Sequence, residues 1–283
     1  MKILYINPVG SRQFDEGMKA VLRESSSRGT EVDVVSLERG PRHVEYMYYE
    51  GLVLADVMHI VKRAETDRYD AVVLGCFYDL ALQEAREISE RMVITAPAES
   101  CMLNACSLGD KFSIVVGRRK WVPQMMGTVV KYGLRDRLAS FKVLDLGVLD
   151  FQKEKEETER RQRKVIREAL ENDGAEVIIL GCTAEFGFWA TLQKEFRVPV
   201  LDPVIVPLKY AEHLVGLRDR FGWSHSKLAA YESPSADEIR QWKIGEQYET
   251  SVWGRNTPRK KEEKEGRVIR GDSKFISKED HDQ

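Results

Sequence analysis

The feature that most narrows what this chain can fold into is a pair of similar stretches, VVLGCFYDL (72–80) and IILGCTAEF (178–186). In each, a β-branched apolar run ends in Gly-Cys and a segment of helical character follows. Each cysteine is therefore predicted at the C-terminal tip of a strand, where a helix begins, and open α/β sheets bind their ligands at that end. The repeat extends upstream. Lys2 opens the strand-like run KILYIN 74 positions before Cys76 (76 − 2), and Lys111 opens KFSIVV 71 positions before Cys182 (182 − 111). The chain reads as two copies of one unit, each ending in a thiol.

The rest of the pattern fits that frame. Short apolar runs at 2–7, 31–36, 70–75, 92–96, 112–116, 142–146, 176–181 and 198–201 read as strands. They alternate with helical stretches at 13–27, 49–67, 80–91, 98–108, 122–132, 152–172 and 185–194, and a last helix ends near Arg220. Gly133 falls where a left-handed cap is wanted. Alternation without consecutive strands predicts an α/β fold of two similar lobes, each a parallel sheet flanked by helices, with the site in the cleft between them. The expected division is 1–97 plus about 204–225 for the first lobe, 98–203 for the second, and 226–283 for a C-terminal extension. In that extension Ser235 and Glu238 form a capping-box pattern, and 257–283 is mostly charged and expected to be mobile. The aromatics Trp242, Tyr248 and Trp253 suggest that the part before Gly254 docks on the body or on another subunit.

Composition then excludes several classes of function. A hydrophobic fraction of 42% over 283 residues suffices for substantial cores, and a formal net charge of -2 gives little hold on nucleic acid or an anionic membrane. A small-molecule partner is expected, in a homo-oligomeric protein. Four cysteines are too few for a disulfide framework, and none stands at zinc-ligand spacing. The N-terminus lacks a signal-peptide core, and no apolar run approaches about 18 residues, so a cytoplasmic protein is expected. Neither GxGxxG nor GxxxxGK[ST] is present, which implies a reaction without a cofactor, and with no zinc-ligand spacing no metal is expected.

Two thiols at facing strand tips suggest a specific chemistry. A cysteine at a helix N-terminus meets backbone N–H groups and the positive end of the helix dipole, which lower its pKa from about 8.5. With one cysteine as thiolate and the other as thiol, the pair can take a proton from one side of a carbon and return one to the other, which is two-base racemisation. The N–H groups of Phe77 and Thr183 would then hydrogen-bond the carbonyl oxygen that gains charge. Asn7, at the tip of the first strand, points into the same cleft. Cys101 and Cys106 are read as packing residues.

These residues resemble the aspartate/glutamate racemase superfamily and, within it, the hydantoin and allantoin racemase branch. The resemblance runs from Met1 to about Arg220 and is carried by ILYINP, GPRHVEYMYYE (40–50), VVLGCFYDLALQEARE (72–87), LGDKFSIVV and the second GCT. It implies a cofactor-independent racemase or epimerase with Cys76 and Cys182 as the acid/base pair and Asn7 near the substrate. A hydantoin-like cyclic ureide or an amino-acid derivative is the implied substrate. His43 lies in a loop that relatives place near the substrate. Gly117 and Arg118 fall where many relatives have hydroxyl residues lining the pocket; a basic group there either binds a substrate carboxylate or belongs to a solvated turn. The superfamily also implies two alternatives, a one-cysteine decarboxylase or cis-trans isomerase of a small dicarboxylate, for which Arg118 and Arg119 would be the discriminating residues. A non-catalytic ligand-binding protein of the same fold is the third reading.

Overall fold

The computed structural model describes residues 1–248. The first lobe is built from β1 (Lys2–Asn7), α1 (Asp15–Ser25), β2 (Glu31–Ser36), α2 (Met47–Thr66), β3 (Ala71–Leu74), α3 (Leu82–Ile88) and β4 (Val93–Thr95). The second contains α4 (Pro97–Leu108), β5 (Phe112–Val116), α5 (Val122–Lys131), β6 (Leu138–Val143), α6 (Lys155–Asn172), β7 (Val177–Leu180), α7 (Trp189–Phe196) and β8 (Val200–Leu201). Then come α8 (Ile205–Phe221), α9 (Ala236–Gln241) and α10 (Ile244–Gln247). The sheets have orders β2-β1-β3-β4 and β6-β5-β7-β8, and every pairing is parallel. Adding four to each strand number of the first sheet gives the second, so the repeat seen in the sequence is a repeat of topology. In both, the cysteine strand lies beside the strand that opens the lobe.

Burial follows from the strand period of two. Along β1, Ile3 and Tyr5 face one core while Leu4 and Ile6 face another. The Leu4 face packs on α2 and α3 residues such as Val57 and Leu82. The Ile3 face joins Met18 and Leu22 of α1 to Phe112, Ile114 and Val115 of β5, so one apolar core runs through both lobes. After crossing the second sheet the chain returns: α8 packs against β3, β4, α1 and α4.

Several boundaries depart from the sequence reading, each for a backbone reason. The sixth strand ends at Val143 instead of running over 142–146, because Asp145 takes a left-handed φ of 55°. Leu144 and Leu146 still donate their N–H groups to Val116 and Gly117, but as a connection. The helix expected over 80–91 is only Leu82–Ile88, since Asp79 and Ala81 are left-handed (φ 52° and 63°). The helix expected over 185–194 splits at Gly187 (φ 85°) into a three-residue turn, Thr183–Glu185, and α7. Gly133 does adopt the left-handed conformation after α5 (φ 71°), and the Ser235 hydroxyl caps α9 by accepting from Asp237 N–H at 3.2 Å. Of the extension, Trp242 is exposed and Tyr248 places its ring beside His59. Trp253 and the charged stretch 257–283 lie outside the described residues. Among the described residues no helix is long and apolar enough to cross a membrane, and no group of acidic, His and Cys residues is arranged to hold a metal ion.

Candidate active site

Each Gly-Cys tip owes its glycine to close packing. A Cβ on Gly75 would stand 2.5 Å from the Tyr5 ring, and one on Gly181 would stand 2.6 Å from the Val115 carbonyl. Each glycine thus makes room for a neighbour in its own lobe, and the two tips are joined by the Thr183 hydroxyl, which donates across the lobes to the Gly75 carbonyl at 3.2 Å. Cys76 and Cys182 then line the same cavity, of about 60 Å3. Asn7, His43, Phe77 and Thr183 line it too. Asn7 is oriented by its amide N–H groups, which donate to Ser36 Oγ at 3.0 Å and Asp15 Oδ1 at 3.3 Å. The ring of His43 packs against Tyr46 and Tyr49.

Gly117 and Arg118 are not on this wall. Gly117 makes room for Trp121, whose ring a Cβ there would meet at 2.4 Å, and it is Trp121 that reaches the cavity. The Arg118 guanidinium donates to Glu45 Oε2 at 2.9 Å. That carboxylate, 6% exposed, also accepts from Val148 N–H at 3.0 Å through its other oxygen. Glu45 therefore ties the loop before α2 to the second lobe at the cavity wall. Gln124 of α5 adds a second tie by donating to Glu50 of α2 at 2.7 Å. Sequence reasoning passed over Glu45, Trp121 and Tyr78. Glu45 stands inside the GPRHVEYMYYE stretch but has no spacing signal, and an aromatic before a helix reads as core.

The remaining walls are apolar: Val9 and Val44 from loops, Phe14 and Met18 from the α1 side, Met125 from α5. The indole N–H of Trp121 is buried without a partner. Arg42, itself exposed, is on the lining with its guanidinium donating to Gln13 at 2.9 Å.

This enclosure reverses the expected electrostatics of the thiols. Burial pushes Cys76 up to about 12, aided by the charges of Glu50 and Asp79, while the N–H groups of Tyr78 and Leu80 pull the other way. Cys182 is also raised well above the ordinary thiol, first by burial and then by Glu185, against the N–H of Ala184. Neither cysteine sits at the start of a full helix. Cys76 is followed by the left-handed turns of Asp79 and Ala81, and Cys182 by a single short turn, so desolvation outweighs the dipole. Asp79 anchors the first turn from below: its carboxylate accepts from Ala98 N–H and Glu99 N–H, both at 2.8 Å, and from the Tyr132 hydroxyl at 2.6 Å. Burial pushes that carboxyl up to about 7 against these donors.

Comparison with known proteins gives a consistent result. The model of a family described as Asp/Glu/Hydantoin racemase matches residues 3–211. The chain is 33% identical over 238 residues to a hydantoin racemase of Pseudomonas sp. (strain NS671), covering 84% of this chain and 94% of that one. It is 33% identical over 236 residues to a hydantoin racemase of Paenarthrobacter aurescens, covering 83% and 98%. Among solved structures, allantoin racemase from Klebsiella pneumoniae superposes with a TM-score of 0.78 at 28% identity, over 83% of this chain and 94% of that one.

Proposed function

The chain belongs to the Asp/Glu/hydantoin racemase family, and from that premise we propose that it is a cofactor-independent racemase or epimerase in which Cys76 and Cys182 exchange a proton across an uncharged, carbonyl-activated stereocentre, with a hydantoin-like cyclic ureide as the substrate class. The observation that carries this reading is the presence of one thiol from each lobe on a single cavity. One cysteine, as thiolate, takes the proton from the stereocentre, and the electron pair of the C–H bond moves onto the adjacent carbonyl oxygen. The other cysteine, as thiol, gives its proton to the opposite face and is left as the thiolate. In the reverse direction the two exchange roles. Thiols raised by burial are scarce as thiolate but strongly basic once formed, which suits abstraction from carbon. Hydrogen bonds from the ring N–H groups of a ureide would favour that ionisation.

The polarity of the walls supports an uncharged substrate. Arg118 is engaged by Glu45, and Arg119, in the turn before α5, is exposed and off the lining. The two residues that would mark a dicarboxylate site are therefore not offered to a ligand by the cavity wall. The test is solvent-deuterium incorporation, followed by NMR, into single enantiomers of 5-substituted hydantoins, allantoin, amino acids and small dicarboxylates. Exchange at the stereocentre with loss of optical activity for the cyclic ureides, reduced at least a hundredfold by Cys76→Ser and by Cys182→Ser, is expected. Exchange confined to the dicarboxylates, or surviving either substitution, would overturn the proposal.

A further inference from the structure

Behind Cys182 lies a buried polar pair that the proton exchange does not use. Glu185 ends the short turn after Cys182, Gln162 projects from α6, and both side chains are wholly excluded from solvent. Gln162 Nε2 donates to Glu185 Oε1 at 2.9 Å. The two oxygens that this bond leaves over, Gln162 Oε1 and Glu185 Oε2, are buried without partners. Two acceptors cannot satisfy each other, and buried polar atoms rarely go unpaired. A single proton resolves both. A primary amide and a carboxylic acid close a ring of two hydrogen bonds, amide N–H to one carboxyl oxygen and carboxyl O–H to the amide oxygen.

We propose that Glu185 is a neutral carboxylic acid, doubly hydrogen-bonded to Gln162, and that it is a positioning residue that keeps negative charge away from Cys182. The surroundings agree. The titratable groups facing it are Cys182, at the end of β7, and Asp202, at the junction of β8 and α8, while α6 presents the Gln162 amide. Asp202 is arranged as an anion, accepting from the N–H groups of Gly187 and Val204 at 2.8 Å and of Ile205 at 3.2 Å. A second carboxylate would have to share the same dry space. Burial first, and then Asp202, push the Glu185 carboxyl up to about 8 despite the Gln162 hydrogen bond and the N–H groups of Cys182 and Gly181. Above that pH a charge would appear beside Cys182 and disfavour its thiolate. This consequence for the reaction rests on the two-thiol function proposed above; the acid–amide pair does not.

Two measurements made without substrate test the pair. Infrared spectroscopy of the full chain at pH 6 should show the carbonyl band of a buried carboxylic acid that shifts in deuterium oxide, fades as pH passes about 8, and is absent from Glu185→Gln. That variant can close an amide–amide ring with Gln162 and should stay folded. A wild-type spectrum with no acid band that the substitution removes would overturn the inference. The second measurement is the rate of Cys182 alkylation by iodoacetamide as a function of pH, read by mass spectrometry. Wild type should fall about tenfold behind Glu185→Gln above pH 9, the equivalent of about one pKa unit at the thiol. Coincident curves would refute the assigned role of Glu185. A chain that shows the band and the lag yet racemises nothing would uphold the pair and refute the function it is assigned to serve.

Discussion

Acid should unclasp the segment 223–233 from the edge of the first sheet. β4 ends that sheet, and an unpaired edge invites association. Here side chains occupy it. The Ile94 N–H donates to His225 Nε2 at 2.9 Å, and the Ile94 carbonyl accepts from the Arg86 guanidinium at 3.0 Å. Lys227 Nζ donates to the Arg86 and Glu87 carbonyls in the last turn of α3, and Ser233 Oγ donates to that of Glu87. An imidazole nitrogen accepts only while it carries no proton. Burial first, then the charges of Arg86 and Lys227, push His225 down from 6.5 to about 4. The unfolded chain therefore takes up a proton near pH 6.5 that the folded chain refuses until about pH 4. Stability from this group is complete above 6.5 and is lost as pH falls between the two. At 1.36 kcal/mol per pH unit the loss reaches about 3 kcal/mol, and partial exposure trims it to about 2. Hydrogen exchange at the Ile94 amide is the assay. Its protection factor should drop about thirtyfold between pH 7 and pH 4 in wild type, and it should be low and independent of pH in His225→Phe. Equal protection at both pH values in wild type, or an unchanged step in the variant, would refute the argument.

The tips of the cysteine strands make further demands. Gly75→Ala should destabilise by about 1–3 kcal/mol in urea titration, because the new methyl collides with the fully buried Tyr5 ring. Gly181→Ala should be at least as damaging, since the atom it meets is the Val115 carbonyl of the backbone, which moves less readily than a ring. Thr183→Val, of nearly the same shape, deletes the donor to the Gly75 carbonyl; a loss of about 0.5–1.5 kcal/mol is expected, and no loss would mean that the inter-lobe bond carries nothing. Glu45→Ala leaves the buried Val148 N–H without its acceptor and the half-exposed Arg118 guanidinium with the Tyr46 hydroxyl alone. It should cost about 1–3 kcal/mol and speed alkylation of Cys76 and Cys182 together, and slower alkylation would count against a tie that holds the lobes closed.

How far the fold was legible depends on which elements carry a pattern. β3 and β7 read correctly because a parallel strand buried on both faces is apolar without interruption: AVVL and VIIL are buried at every position. The two cysteines and the similar lobes followed from them. Several of the misplaced boundaries fall where an ordinary residue, or a glycine with no turn partner beside it, takes a left-handed conformation: Asp79, Ala81, Asp145, Gly187. No propensity marks an alanine as left-handed. Ala81 adopts that state because Asp79 is pinned to the start of α4 by Ala98 and Glu99, residues about twenty positions away.

The same long-range pins explain why the electrostatics of the site could not be read from its motif. A Gly-Cys at a strand tip says where a thiol stands but not how deeply the other lobe covers it. That cover is supplied by Glu45, Trp121 and Met125, which share no spacing with either cysteine. Once it is in place, the loss of water outweighs the few N–H groups that Tyr78, Leu80 and Ala184 direct at the sulfurs, and both thiols are held neutral. A neutral pair cannot begin a proton exchange. If the two thiols exchange a proton as proposed, their ionisation comes with the ligand, through hydrogen bonds that replace the lost water. Substrate should accordingly speed deuterium exchange at the cysteine S–H groups in wild type while leaving Cys101, fully buried away from the cavity lining, untouched.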